Sequence, residues 1–293
     1  MSRKEIFVGS AVAIVTPFDE NGVDFNKLGE LIEFQISNKT NAIIVCGTTG
    51  EASTMTDVEH LETIKYTVEK VNGRIPVIAG TGSNDTRYAI ELSKKAESVG
   101  ADAVLLVSPY YNKTTQRGLF VHFKTIADSI NIPVVLYNVP SRTGVNINPE
   151  TIKKLTEVEN IVALKECNID QLTEVINACG DKIDIYSGND DQILSMLVMG
   201  AKGVISVMAN IIPKETNELV MNFLAGDEIR SREIQLHLSK LIKALFIEVN
   251  PIPIKEAMNM MGMEVGECRM PLISMIGENY DFLRRTLAEY DLT

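Results

Sequence analysis

Tryptophan is absent, histidine occurs only at positions 60, 122 and 237, and the four cysteines show no CxxC pairing. Each shortage removes a class of function. The three histidines lie in stretches of helical spacing, none placed to share an ion with another, so they cannot supply the His-rich shell of a zinc hydrolase or a metal-dependent aldolase. No metal is expected. Cys46, Cys167, Cys179 and Cys268 are too few to staple 293 residues and read as reduced thiols of a cytoplasmic protein. Positive charge is in deficit: 28 Lys and Arg against 39 Asp and Glu leave −11, which opposes attraction to nucleic acid or to an anionic membrane surface. No apolar run approaches the ~20 residues of a membrane span. Arg3-Lys4 followed by the mostly apolar residues 6–15 has the outline of a short signal peptide. Glu5 interrupts its basic head, however, and the run 11–15 stops at Thr16-Pro17, so the segment reads as a first core strand.

What remains is the composition of a soluble globule, 45% apolar and 23% charged, long enough for one large domain or two small ones. Short β-branched apolar runs recur at residues 11–15, 42–46, 76–79, 103–107, 133–137, 161–165, 183–187 and 203–207. Segments of helical spacing lie between them, such as Leu28, Leu31, Ile32 and Ile36, often opened by Asp, Asn, Thr or Ser. Strands without polar alternation belong to a parallel sheet covered on both faces. Eight βα units predict an α/β fold, a closed (β/α)8 TIM barrel. A doubly wound open sheet would gather polar signatures at one switch point, whereas here they follow nearly every strand, as a barrel's C-terminal rim requires. The barrel is expected over residues 1–224, with a packed C-terminal helical extension over 225–293.

Four segments carry chemistry. Lys165 ends the sixth run, and a poorly solvated amine at a barrel axis loses its proton readily and can attack a carbonyl, which suggests a Schiff base. The competing reading has it just past the strand, reaching to water. Tyr137 can shuttle a proton, and Arg142 can grip a carboxylate with two hydrogen bonds. The bland readings are a strand aromatic and a surface charge. Gly47-Thr48-Thr49-Gly50-Glu51 allows close backbone approach to a small carboxylate, or is simply a tight βα turn. It lacks the GK[ST] of a nucleotide P-loop, and Gly80-Thr81-Gly82 satisfies only part of GxGxxG. Asp190 and Asp191, adjacent after the seventh run, would repel a substrate phosphate.

Taken together, Gly47-Thr48-Thr49-Gly50-Glu51, Tyr137-Asn138-Val139-Pro140, Arg142-Thr143-Gly144 and Lys165-Glu166 resemble the dihydrodipicolinate synthase / N-acetylneuraminate lyase family. Pro109-Tyr110-Tyr111-Asn112, Ser187-Gly188-Asn189-Asp190, Gly203-Val204-Ile205-Ser206 and Asn250-Pro251-Ile252-Pro253 extend the likeness along the whole chain. The resemblance implies a cytoplasmic (β/α)8 homotetramer, a dimer of dimers, in which Lys165 forms an imine with pyruvate and no cofactor is needed. It implies that Tyr137 relays protons, that Thr48 bridges two tyrosines, and that Tyr111 completes the relay of a neighbouring subunit. Thr49, Gly188 and Ile205 would line the pyruvate pocket. Arg142 separates the branches: synthases use it for the carboxylate of L-aspartate 4-semialdehyde, and sialic-acid lyases lack it. The implied reaction is condensation of pyruvate with that semialdehyde in lysine and diaminopimelate biosynthesis.

Another pyruvate-dependent aldolase of the family, acting on a 2-keto-3-deoxy-sugar acid or a hydroxy-oxoglutarate, is the alternative; a non-catalytic metabolite-binding barrel is a third reading. Cys167-Asn168-Ile169 replaces a small Ala-Ser/Thr-Gly stretch of relatives. At the positions through which inhibited relatives bind lysine, His60, Asn84 and Tyr110 remain, while Tyr88, Asp57 and Ala52 depart. Feedback by lysine is therefore not expected.

Overall fold

The computed structural model describes residues 5–293. Eight parallel strands close into a barrel: β1 (Gly9–Ala13), β2 (Ala42–Val45), β3 (Val77–Gly80), β4 (Ala103–Val107), β5 (Val134–Asn138), β6 (Ile161–Glu166), β7 (Asp184–Ser187) and β8 (Gly203–Ser206). Each pairs with its neighbours in sequence, and β1 pairs with β8. Every strand falls on an expected apolar run, with its ends shifted by no more than two residues. Every residue of β1 is buried; Arg3 and Lys4, the basic head of the signal-like segment, lie outside the described residues.

The two faces of each strand serve different cores. Ala11, Ala13, Ile44, Ile78, Leu105, Val135 and Tyr137 point inward, with Phe7 stacked on Tyr186 at 4.2 Å as a floor. Val12, Ile43, Val104, Leu106 and Leu136 face the surrounding helices. The period-2 alternation decides which strand-end residues reach the axis: Tyr137 and Lys165 point in, Asn138 and Glu166 out. Helices occupy Phe25–Ser37, Asp57–Val71, Thr86–Ser98, Gln116–Ala127, Pro149–Leu155, Leu172–Cys179, Ile193–Val198 and Pro213–Leu224. The second opens with a capping box between Thr56 and Glu59 and ends at left-handed Asn72, a cap worth about 1 kcal/mol.

The tail consists of helices Glu228–Leu245, Ile252–Met260 and Gly277–Glu289. The first buries Ile234, Leu238, Leu241, Ile242 and Leu245, each contributing roughly 1.5–3 kcal/mol of burial. Polar contacts fix its place against the barrel: Ser231 Oγ donates to Leu219 O at 2.7 Å, and Gln235 Nε2 to Asp190 O at 3.1 Å. Among the described residues no helix is long and apolar enough to cross a membrane.

Candidate active site

Where the strands end at the C-terminal face, a cavity of about 180 Å³ opens, lined by Thr48, Thr49, Tyr137, Arg142, Lys165 and Gly188 among others. Lys165 stands inside β6, not beyond its end, and is only 6% exposed. This excludes the water-seeking reading. It pairs in register with Tyr137 on β5 and Tyr186 on β7, and its Nζ lies 4.4 Å from the centre of the Tyr137 ring. Burial lowers the pKa of this amine; nearby Cys167 and Asp190 act the other way, and Arg142 adds to the lowering. A buried amine above a ring gives up its proton more readily than a solvated one, which favours attack on a carbonyl.

Tyr137 is driven the opposite way. Burial raises its phenol above the ordinary range, so it keeps its proton, and Thr48 and Cys167 line the cavity with it. A phenol that keeps its proton beside an amine that gives its proton up more readily can serve as a proton relay.

The turn after β2 brings Thr48 and Thr49 to the cavity through unusual backbone. Cys46 and Glu51, neither a glycine, have φ of 54°, a left-handed conformation costing roughly 1–2 kcal/mol each. Such strain persists only where the surroundings impose it. Thr16 Oγ1 donates to Gly50 O at 2.7 Å, and Asn250 Nδ2 to Thr49 Oγ1 at 3.0 Å. Gly80 of β3 is required here, because a Cβ would lie 2.1 Å from Cys46 O.

Arg142, in the single turn Pro140–Thr143, sits exposed at the rim and donates from Nη2 to Asn250 O at 3.1 Å, which leaves most of its fork free. Gly188 follows β7, its N–H donating to Glu166 O at 2.8 Å. Glu166, pointing away from the cavity, accepts from Asn138 Nδ2 at 2.8 Å, Asn168 N at 2.7 Å and Gln171 Nε2 at 2.9 Å. Burial still pushes its carboxyl up to about 7 against those donors. This network fixes the backbone of β6 behind Lys165.

Other sequence-selected residues lie elsewhere. Ile205 is fully buried inside the barrel, paired in register with Ala11, and does not line the cavity. Tyr111 is 91% exposed, left-handed at φ 67°, on the loop after β4 and outside the cavity. The expected pair of repelling carboxylates is not formed: Asp190 is buried and accepts from Val207 N and Met208 N at 3.1 and 2.8 Å, so only Asp191 is exposed. His60 is turned inward, its Nε2 2.8 Å from Gly80 O. Asn84 donates to Tyr110 O at 3.2 Å. Tyr88 donates to Asp57 Oδ1 at 2.7 Å.

Sequence reasoning overlooked Phe246 and Asn250, which reach the cavity from the tail, and Asn189. Asn250 stood in a recognised motif, Asn250-Pro251-Ile252-Pro253, yet nothing local marks a residue of the tail as part of a barrel's mouth. Cys167 was noticed only as a departure, and it too lines the cavity.

The model of the dihydrodipicolinate synthetase family matches residues 6–290. The chain is 66% identical over 290 residues to the 4-hydroxy-tetrahydrodipicolinate synthase of Acetivibrio thermocellus, covering 99% of each chain. Among solved structures it resembles the dihydrodipicolinate synthase of Aquifex aeolicus, with a TM-score of 0.95 at 51% identity, covering 98% of this chain and 99% of that one. It also resembles the chloride-inhibited enzyme of Acinetobacter baumannii complexed with pyruvate, with a TM-score of 0.95 at 43% identity, covering 99% and 100%. Barrel, buried lysine, relatives and family model agree along almost the whole chain, which belongs to the dihydrodipicolinate synthetase family.

Proposed function

We propose that the protein is a lyase that condenses pyruvate with L-aspartate 4-semialdehyde, yielding 4-hydroxy-tetrahydrodipicolinate and water. The observation that carries this reading is the buried, deprotonation-prone amine of Lys165 against Tyr137 and Thr48, with Arg142 at the mouth of the same cavity. The Lys165 amine attacks the ketone carbon of pyruvate, water departs, and an imine remains. Loss of a methyl proton gives an enamine, whose carbon attacks the aldehyde; Tyr137, with Thr48 in the same cavity, carries the protons. The semialdehyde's own amine then displaces Lys165 and closes the ring. The protonated imine is the electron sink, and the reading includes no cofactor. A cytoplasmic homotetramer completes it, in which exposed Tyr111 serves a neighbouring subunit.

A substrate panel tests the assignment. Pyruvate is offered with aspartate semialdehyde, glyceraldehyde, glyoxylate or N-acetylmannosamine, and turnover confined to a sugar aldehyde would refute it.

Two expectations follow from local geometry. A Cβ at Gly188 would stand 2.3 Å from Cys167 Sγ and 3.2 Å from Lys165 Cε. Gly188→Ala therefore displaces the reacting lysine, and kcat/KM for pyruvate should fall about a hundredfold, as misplacements near 1 Å do; near-parental kinetics would show that the thiol simply swings aside. Lysine, titrated into an initial-rate assay, should leave the rate level, since the Asp57 carboxylate that could face an ammonium is engaged by the Tyr88 hydroxyl. A saturating fall in rate would contradict this.

A further inference from the structure

We propose that Glu51 and Lys255 are positioning residues for the pyruvate pocket, their buried ion pair tying the Thr48-Thr49 turn to the C-terminal tail. The inference rests on the reading of that pocket as the pyruvate site. Lys255 and Glu51 side chains are 2% and 1% exposed, and neither lines the cavity. Lys255 Nζ donates to Glu51 Oε1 at 2.9 Å, Thr16 O at 3.2 Å and Glu267 O at 2.8 Å, which uses all three hydrogens. Arg269 N supplies the second Glu51 oxygen at 2.8 Å. The Phe18 ring centre lies 4.7 Å from Lys255 Nζ and 4.0 Å from Arg269 Cζ.

A buried ion pair is a poor source of net stability compared with packed apolar residues. What this one supplies is a fixed geometry at one end of a strained turn. Glu51 is the left-handed residue that closes Gly47-Thr48-Thr49-Gly50-Glu51; the Lys255 amine and Arg269 N hold its carboxylate, and the Thr16 hydroxyl holds the preceding Gly50 carbonyl. Thr49, two residues before, is held by Asn250 from the same tail. Released, the turn relaxes and its threonines leave the pocket.

The test is Glu51→Gln/Lys255→Met, which removes both charges at nearly constant volume. The KM for pyruvate, and the pyruvate concentration that half-saturates borohydride trapping on Lys165, should each rise about tenfold, while the KM for the semialdehyde moves by less than about twofold. A folded double variant with a lower melting temperature and an unchanged pyruvate KM would make the pair merely structural and overturn the proposal. Should that variant not fold, Glu51→Gln alone carries the test: it keeps an oxygen for Lys255 Nζ and turns an amide NH2 toward Arg269 N, which donates to the second carboxylate oxygen at 2.8 Å in the parent. Its pyruvate KM should rise about threefold, and no change overturns the proposal. The parent separates the two failures: a parent that traps pyruvate without turning over the semialdehyde refutes the functional reading, while trapping still reports on the pair.

Discussion

Lys165→Met should abolish the borohydride-trapped pyruvate adduct and lower kcat by at least about a thousandfold. The loss is that large because, among the described residues, no other lysine lines the cavity. Lys255, the other deeply buried lysine among the described residues, is ion-paired with Glu51 and gives its remaining hydrogens to two carbonyls away from the cavity. Peptide mass mapping after trapping reads the result directly; an adduct persisting in the variant would mean that another amine forms the imine. Stability supplies a second readout with a definite sign. Burial places the folded pKa of Lys165 below the ordinary lysine value of 10.5, so between that lowered value and 10.5 the unfolded chain binds more protons than the native one. Stability of the parent therefore rises with pH across that window. Methionine removes the dependence, so the variant should melt higher than the parent near pH 7, with the gap closing as pH approaches 10.5. An enzyme that buries a lysine where its charged form is disfavoured gives up stability for reactivity.

The barrel was legible because its signals are local. Continuous β-branched runs such as Val134-Val135-Leu136 can be covered on both faces only in a parallel sheet, and alternation from Val135 through Tyr137 tells which side faces the axis. Lys165 was legible for the same reason. The contacts that complete the site were not. Asn250 meets Thr49 across 201 residues and Lys255 meets Glu51 across 204, and no spacing rule spans such a separation. Lys255 in the apolar stretch Ile252-Pro253-Ile254 was the one cue, a charge where a tail helix should be buried. Asp190 misled because adjacent aspartates look like a solvated pair. In the structure the first turns inward to satisfy two backbone N–H groups at the end of β8. Left-handed Cys46 and Glu51 were equally hidden, since neither residue type announces that conformation.

Arg142→Ala should leave the trapped pyruvate adduct intact and reduce kcat/KM for aspartate semialdehyde about a hundredfold, close to 2.7 kcal/mol of transition-state binding. The two halves of the reaction separate in space, which is why they separate in this variant. Lys165 and Tyr137 are buried and Thr48 half-buried in the cavity, whereas Arg142 stands exposed at its rim on a single helical turn. Pyruvate therefore reaches its amine without the guanidinium. The second substrate brings a carboxylate into a protein of net charge −11, and the long-range field opposes its arrival, so the favourable term must be local. A bidentate fork on a carboxylate supplies it, worth roughly 1.5–3 kcal/mol for each charge-assisted bond before solvent weakens it at a rim. Asn250 O, holding one amino group of the fork at 3.1 Å, aims the plane. Arg142→Lys keeps the charge and loses the plane, so it should fall between parent and alanine variant. Equal kcat/KM for parent and Arg142→Ala would mean that the semialdehyde carboxylate binds elsewhere, and an alanine variant that lost the pyruvate adduct as well would show Arg142 acting on the first substrate.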